Sequence, residues 1–249
     1  MEFLKSPAVA QDLRKQNGLY SELRRLVYLR NGRIQKVALI RRLVAKYQSK
    51  EGGVHYNDGQ QHDPVLFFQD LLACLQEELK IGARHLANIF EIEVENTIQC
   101  LGCRSVKIVP IVLPNILLLE TSKKTLHEAL EEYQTAEMYE QECPMPHCKS
   151  KKAETTKKIL KYPSSLNVVL KRFSFSKRKN TAVKICKMVK TPIVLQCKGG
   201  DLSYILGAGL NHEGHHASSG HCIVNWRDSE SGLFTRFAPA HDPFFLILL

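Results

Sequence analysis

Long apolar runs are missing from this 249-residue sequence, which nowhere approaches the about 18 consecutive apolar residues of a membrane-spanning helix. The start, Met1-Glu-Phe-Leu-Lys-Ser-Pro7, has neither the basic opening nor the apolar core of a secretory signal. Internal repeats and low-complexity tracts are absent, which removes solenoids and disordered arrays from consideration. Tryptophan occurs once, and no cysteine precedes Cys74. Eight cysteines without a signal segment point to a reducing compartment, cytosol or nucleus, where thiols stay free or hold metal.

The charge is far from balanced: 35 Lys and Arg stand against 25 Asp and Glu, a formal net charge of +10. Much of the excess lies in Lys149, Lys151, Lys152, Lys157, Lys158 and Lys161, then in Lys171, Arg172, Lys177, Arg178 and Lys179. Such runs can neutralise phosphates. Here they lack interleaved stacking aromatics and a recognition-helix pattern, so they read as solvated strand faces and hairpin tips. Nucleic acid is not the expected partner.

Hydrophobic spacing divides the chain. Leu19–Val27, Val37–Val44 and the stretch through Val65, Phe68, Leu71, Leu72 and Leu75 repeat at helical intervals, with a Gly/Asn/Asp-rich loop at 51–60. From about Ala87 the period becomes two: Ile89–Ile98 alternates as a half-buried strand. Val106–Leu119 is β-branched with two prolines, suiting an edge or a bulge. Thr125-Leu-His-Glu128 is a capping box opening a short helix. Strands are expected over 156–160, 165–173, 182–187, 193–196, 204–210, 221–226 and 234–237. Helices first and an antiparallel sheet after them give an α+β chain of one large domain.

Two close cysteine pairs flank the first strands: Cys100-Leu-Gly-Cys103, and Cys143-Pro-Met-Pro-His-Cys148. Each pair suits a tight turn aiming two thiolates inward, and together they could fill the four positions of a structural zinc ion, leaving none for catalytic water. Four ordinary reduced cysteines in hairpin turns is the alternative.

Several segments, in order, resemble the ubiquitin-specific protease family of cysteine deubiquitinases. Gln60-Gln61-His62-Asp63 resembles its glutamine-rich box beside the ubiquitin tail, although Pro64 and Leu66 depart from it. The four cysteines fall where that family binds zinc. Tyr162–Phe173, with Leu-Lys-Arg-Phe at its end, is similar to a family strand, and Tyr204–Gly214 to another. Ser219-Gly-His-Cys222 is similar to the catalytic-histidine segment, and Pro243–Leu249 to the closing strand. The resemblance implies a papain-like fold with a helical thumb (1–88), zinc-bearing β fingers (89–160) and an antiparallel β palm (161–249). Ubiquitin's body would rest on the fingers, its tail running toward His221. Gln61, His62 and Asp63 would touch that tail; a simple helix cap is the other reading of these residues.

The family's chemistry uses a cysteine thiolate to attack an isopeptide carbonyl, a histidine to move the proton and a carboxylate or amide to orient that histidine. His221 matches the histidine. The orienting slot holds Ala238, which accepts no hydrogen bond, with Asp242 the nearest carboxylate in sequence. The cysteine segment should precede residues resembling Met1–Pro7, and none is present; Cys74 sits mid-helix and Cys222 faces away from its neighbour His221. The resemblance therefore implies a ubiquitin-binding domain that does not itself cleave, with a truncated copy of an active deubiquitinase as one alternative. A zinc-stabilised basic module for nucleic acid or protein is the alternative from a different class. Whether this sequence is itself an enzyme stays open at this point.

Overall fold

In a computed structural model of the chain the described residues are Leu19, Leu23, Tyr56, 62–78, 83–178, 180–197, 202–216, 219–228, 231–235 and 243–249. The chain divides into two compact units, Met1–Ile89 and Phe90–Leu249. Gln60, Gln61, Ala238, Asp242, Met1–Pro7 and most of the two helices expected over 19–44 lie outside the described residues, though Leu19 and Leu23 are helical.

In the first unit, α1 spans Pro64–Glu78 and buries Leu72 and Leu75. Its start follows from three adjacent residues. Asp63 Oδ1 accepts from the Val65 N–H at 2.8 Å, and the Asp63 carbonyl accepts from the Phe67 N–H at 3.0 Å. Pro64, which has no N–H to leave unsatisfied, takes the first helical position. Near its other end, the Glu78 carboxylate accepts from the Leu19 N–H at 2.7 Å.

A second helix, α2 (Ala83–Phe90), leads into the second unit. The alternation from Ile89 onward predicts a strand there, but Ile89 and Phe90 close the helix and β1 begins at Ile92. Apolar residues at the helix–strand junction satisfy either period, which is why the boundary misreads. One sheet has the order β2-β1-β5-β4, with β1 at Ile92–Cys100, β2 at Val106–Leu113, β4 at Glu137–Glu140 and β5 at Lys152–Lys161. Pro110 lies in β2, the edge strand, as its missing donor requires.

The larger sheet contains β3 (Leu117–Leu119), β6 (Leu166–Leu170), β9 (Val194–Gln196), β10 (Ser203–His216), β11 (Ser219–Arg227), β12 (Phe234–Thr235) and β13 (Pro243–Leu248). A separate hairpin pairs β7 (Phe173–Ser176) with β8 (Thr181–Lys184). The predicted strand over 165–173 is thus two, broken where Arg172 turns inward. Helix α3 (Leu126–Tyr133) carries the expected capping box, with Thr125 and Glu128 satisfying each other's backbone. Its Leu126 and Leu130 join Ile92, Leu117, Leu166, Val168, Leu246 and Leu248 in one core.

A bulge in β10 decides which way its residues point. Tyr204 and Leu206 are buried, then parity changes and Gly209 and Asn211 are the buried ones. Pairing with β13 shifts between Leu206 and Ala208, bracketing Gly207. A single extra residue flips every later side chain to the other face.

Arg172 is 1% exposed, and its Nη1 donates to the Lys187 carbonyl at 2.6 Å and the Ile185 carbonyl at 3.4 Å. These bonds fasten the segment after β8 to the end of β6. Arg172→Leu fits the volume but strands those carbonyls, so unfolding free energy should fall by about 2–4 kcal/mol. Urea denaturation followed by the signal of Trp226 checks this; an unchanged midpoint would refute it.

Candidate functional site

The two hairpins β1–β2 and β4–β5 lie side by side because β1 pairs with β5, Cys100 opposite Ala153. Their tips therefore coincide, each carrying one cysteine pair. Cys100 ends β1, its N–H donating to the Ser105 carbonyl at 2.9 Å and its carbonyl accepting from the Arg104 N–H at 3.0 Å. The turn closes through Arg104 at φ 63°. In the other tip the Cys143 N–H donates to the Ser150 carbonyl at 3.0 Å and the Cys148 N–H to the Met145 carbonyl at 2.9 Å.

All four sulfurs lie within 4.8 Å of one another. Cys100 and Cys148 Sγ are 3.7 Å apart, and Cys103 and Cys143 Sγ are 3.6 Å apart. Four thiolates about 2.3 Å from a central tetrahedral ion would sit about 3.8 Å from each other, so the pocket has the dimensions of a tetrathiolate metal centre. Ser105, which the sequence reading passed over, supports it: Cys103 Sγ lies 3.2 Å from Ser105 Oγ.

The thiols differ in acidity. The Cys103 N–H holds Cys100 down at about 6, outweighing burial, with the Gly102 N–H and the Cys143 and Cys148 thiols helping. Cys103 is lowered by the Ser105 hydroxyl and N–H. Cys148 receives the Ser150 N–H, yet burial and the three neighbouring sulfurs push it up to about 11. The Cys100–Cys103 turn thus favours thiolate and Cys148 favours the thiol, so a cation binding all four would displace protons.

His221 lies in β11, exposed, directly across from Glu213 in β10. After the bulge at Gly207, His221 shares a sheet face with Glu213 and with the buried Asn211 and Asn225. Cys222 pairs with His212 on the other face, so it is not a thiol for His221. Gly220, immediately before His221, has no room for a side chain: a Cβ would meet the Glu213 carbonyl and His212 Nε2, each at 2.4 Å. His212 is another residue whose part the sequence reading left unassigned.

The first unit carries the other expected site residues. His62 stands edge-on to Tyr56, ring centroids 5.2 Å apart, and Tyr56 is edge-on to Phe67 at 5.0 Å. The Tyr56 hydroxyl donates to Asp70, and burial together with that carboxylate raises its pKa. Asp63 caps α1, as described. Tyr56 was legible only as part of a loop, because its partners lie further along the chain. Cys74 is half-buried in α1, and none of the eight cysteines is joined in a disulfide.

The family model for ubiquitin carboxyl-terminal hydrolases matches residues 9–239. The chain is 34% identical over 98 residues to ubiquitin carboxyl-terminal hydrolase 48 of Rattus norvegicus, covering 36% of this chain and 10% of that protein. The Gallus gallus protein of the same name matches at 33% over 97 residues, 36% of this chain and 9% of its own. Among solved structures, the SAGA DUB module Ubp8/Sgf11/Sus1/Sgf73 bound to monoubiquitin superposes at TM-score 0.77 and 18% identity, over 99% of this chain and 62% of that one. The same module bound to ubiquitin aldehyde gives 0.76 and 17%, over 99% and 63%. The chain therefore spans about a tenth of those curated relatives and under two thirds of those structures.

Gly102 is the tightest point of the metal pocket. A Cβ there would stand 2.6 Å from Ser150 Cβ and 3.2 Å from Cys148 Sγ. Gly102→Ala should weaken metal retention by about tenfold or more, measured by competition with a chromophoric chelator. Adding Ser150→Gly should recover most of the loss; failure of the pair to recover would remove this contact as the cause.

Proposed function

The chain belongs to the ubiquitin carboxyl-terminal hydrolase family, and from that membership we propose that its 249 residues form a zinc-stabilised deubiquitinase-type domain that binds ubiquitin without cleaving it. The observation that carries the reading is the family match over residues 9–239. His221, on the β10–β11 hairpin, takes the place of the family's base. In the family reaction a thiolate adds to the isopeptide carbonyl, and the histidinium formed by its deprotonation returns the proton to the departing lysine amine. His221 would be the group for that transfer were a thiolate supplied. Six of the eight thiols are unsuited to the attack: Cys100, Cys103, Cys143 and Cys148 converge on the metal centre, Cys197 is buried, and Cys222 faces away from His221.

The architecture of the reading is a helical thumb over 1–88, fingers over 89–160 and a palm over 161–249. Zinc would be held by Cys100, Cys103, Cys143 and Cys148, locking the two finger tips together and leaving no open position. Ubiquitin's tail would meet Gln61, His62 and Asp63. Free thiolates suit the cytosol or nucleus, and no helix among the described residues is long and apolar enough to cross a membrane.

A second reading has one specific support: the chain spans 62% of the Ubp8 chain it superposes on. The same domain, joined to a preceding segment bearing a cysteine, would be a thiol hydrolase. The deciding measurement treats the zinc-loaded protein with ubiquitin carrying a C-terminal thiol-reactive group, alongside equilibrium binding of plain ubiquitin. Binding without an adduct is expected. A covalent adduct overturns the non-cleaving reading, and the absence of both signals overturns ubiquitin recognition itself.

Two further outcomes follow from the residues. Asp63→Ser keeps an oxygen at the helix cap while removing the charge, so thermal stability should hold within about 0.5 kcal/mol. Ubiquitin affinity should nevertheless fall about fivefold for a lost exposed charge contact; equal affinity would leave Asp63 a cap and nothing more. Zinc loading must drive the proton from Cys148, whose thiol lies at about 11. Titration calorimetry in buffers of different ionisation enthalpy should therefore show proton release, and affinity rising from pH 6.5 to pH 8. A pH-independent affinity contradicts thiolate ligation.

A further inference from the structure

One rung of the β7–β8 hairpin grips the strand opposite His221. Phe173 and Lys184 are cross-strand partners at the base of that hairpin. The Phe173 ring stands edge-on to the His212 imidazole, centroids 5.5 Å apart and planes at 89°. The Lys184 ammonium donates to the His212 carbonyl at 2.6 Å and to the Gly214 carbonyl at 2.9 Å. Both grips fall on His212–Gly214, the stretch of β10 whose middle residue, Glu213, faces His221.

The carbonyls that Lys184 holds are ones that no strand serves among the described residues. The Glu213 carbonyl lies 2.4 Å from where a Gly220 Cβ would stand, so it points toward β11. Carbonyls alternate along a strand, which turns those of His212 and Gly214 to the opposite side. On that side Asn211 pairs with Pro243, which has no N–H to donate, and no ladder partner for His212 or Gly214 is found among the described residues. The ammonium donates to both carbonyls. Gly214, at φ 145°, is held in a conformation that residues with a side chain rarely adopt.

His212 passes the grip across to β11. Its Nε2 and Cε1 would lie 2.4 and 2.6 Å from a Cβ on Gly220, so its ring is wedged beneath the residue that precedes His221. Its Nδ1 is buried with no hydrogen-bond partner among the described residues, leaving packing to fix the ring. Burial, and after it the Lys184 charge, lowers the His212 pKa, so ring and ammonium do not compete as two cations.

We propose that Lys184 is a positioning residue for His221, acting through the His212 and Gly214 carbonyls and the His212–Gly220 contact to fix the imidazole's place on the sheet. This rests on the reading of His221 as the family's base. The Phe173–Lys184 rung makes the hairpin a brace for the histidine strand rather than a loose appendage. Deleting the ammonium frees two carbonyls in a segment that only glycine can shape, and the slack is felt one strand away.

The test uses the zinc-loaded protein with labelled histidines, the His221 ring signal being assigned by its loss in His221→Asn. In Lys184→Met that signal should move and broaden, and amide exchange over residues 212–214 and 220–222 should rise about tenfold or more. Lys184→Arg, which keeps charge and donors, should restore both. Phe175→Ala, at an exposed position on the same hairpin, should change neither. A Lys184→Met spectrum and exchange pattern matching wild type overturns the proposal. So does Phe175→Ala reproducing the effect, which would trace it to hairpin stability alone. Adding ubiquitin to wild type separates the two readings: ubiquitin that binds without moving the His221 signal removes His221 from the tail's path, whereas the brace is judged on the free protein.

Discussion

The large sheet turns on β10 keeping several ladders while changing the face it presents. This strand pairs with β9 at its start, β13 along its middle and β11 toward its end. The ladder to β9 and the first core contacts, Tyr204 and Leu206, need one parity; the histidine strand needs the other. The shift between Leu206 and Ala208 reconciles them, and Gly207 is suited to it, since a Cβ there would press Leu249 Cδ1 at 2.7 Å. Without the shift, His212 and Cys222 would take the face that Glu213 and His221 now occupy. Which residue of β11, His221 or Cys222, shares a face with Glu213 is thus set by a backbone irregularity some distance away.

A comparable dependence governs the metal pocket. Neither cysteine pair can define a tetrahedral centre alone. What brings them together is the register of β1 on β5, which runs from Glu93 opposite Lys161 to Cys100 opposite Ala153. The chain between the pairs is long, so closing it costs entropy that local turns do not recover. A metal bound at both tips would offset that cost and would neutralise sulfurs that otherwise retain a proton on Cys148. The small sheet needs such help because much of β2 is left in solvent, with Val106, Ile108 and Val112 all more than half exposed. Burial contributes little there, and ligation is the available substitute.

What could be read from sequence tracks what is local. The Thr125–Glu128 capping box specified its helix because both halves of the motif lie within one turn. The four cysteines were identifiable because thiol pairs in turns carry their geometry with them, and their convergence was then only a matter of pairing. By contrast, β4 was missed: Glu137–Glu140 has one half-buried residue in four and shows no apolar alternation. Carrying the β6 strand on to Phe173 had a similar source, because Arg172 looks like a solvated residue until Lys187 and Ile185 come round to meet it. Tyr56, His212 and Lys184 escaped for the same reason: each acts on atoms further along the chain, Lys184 on two backbone carbonyls that no side-chain pattern reveals.

That distribution explains how a chain 17–18% identical to the Ubp8 structures keeps their fold at TM-scores of 0.76–0.77. The constraints that hold its site are carried largely by backbone: a bulge, glycines with no space for a methyl, carbonyls clasped by an ammonium, a strand register. Such constraints leave most side chains free to change so long as volume and polarity are kept. Chemistry is held to a stricter standard, because a near-isostere such as serine keeps the shape of a reacting cysteine without its nucleophilicity. A fold of this kind can therefore lose a reacting group and still recognise its ligand, since the ligand is met by a surface while the reaction depends on single atoms. Recognition and turnover are separable properties of this scaffold, and each must be measured on its own.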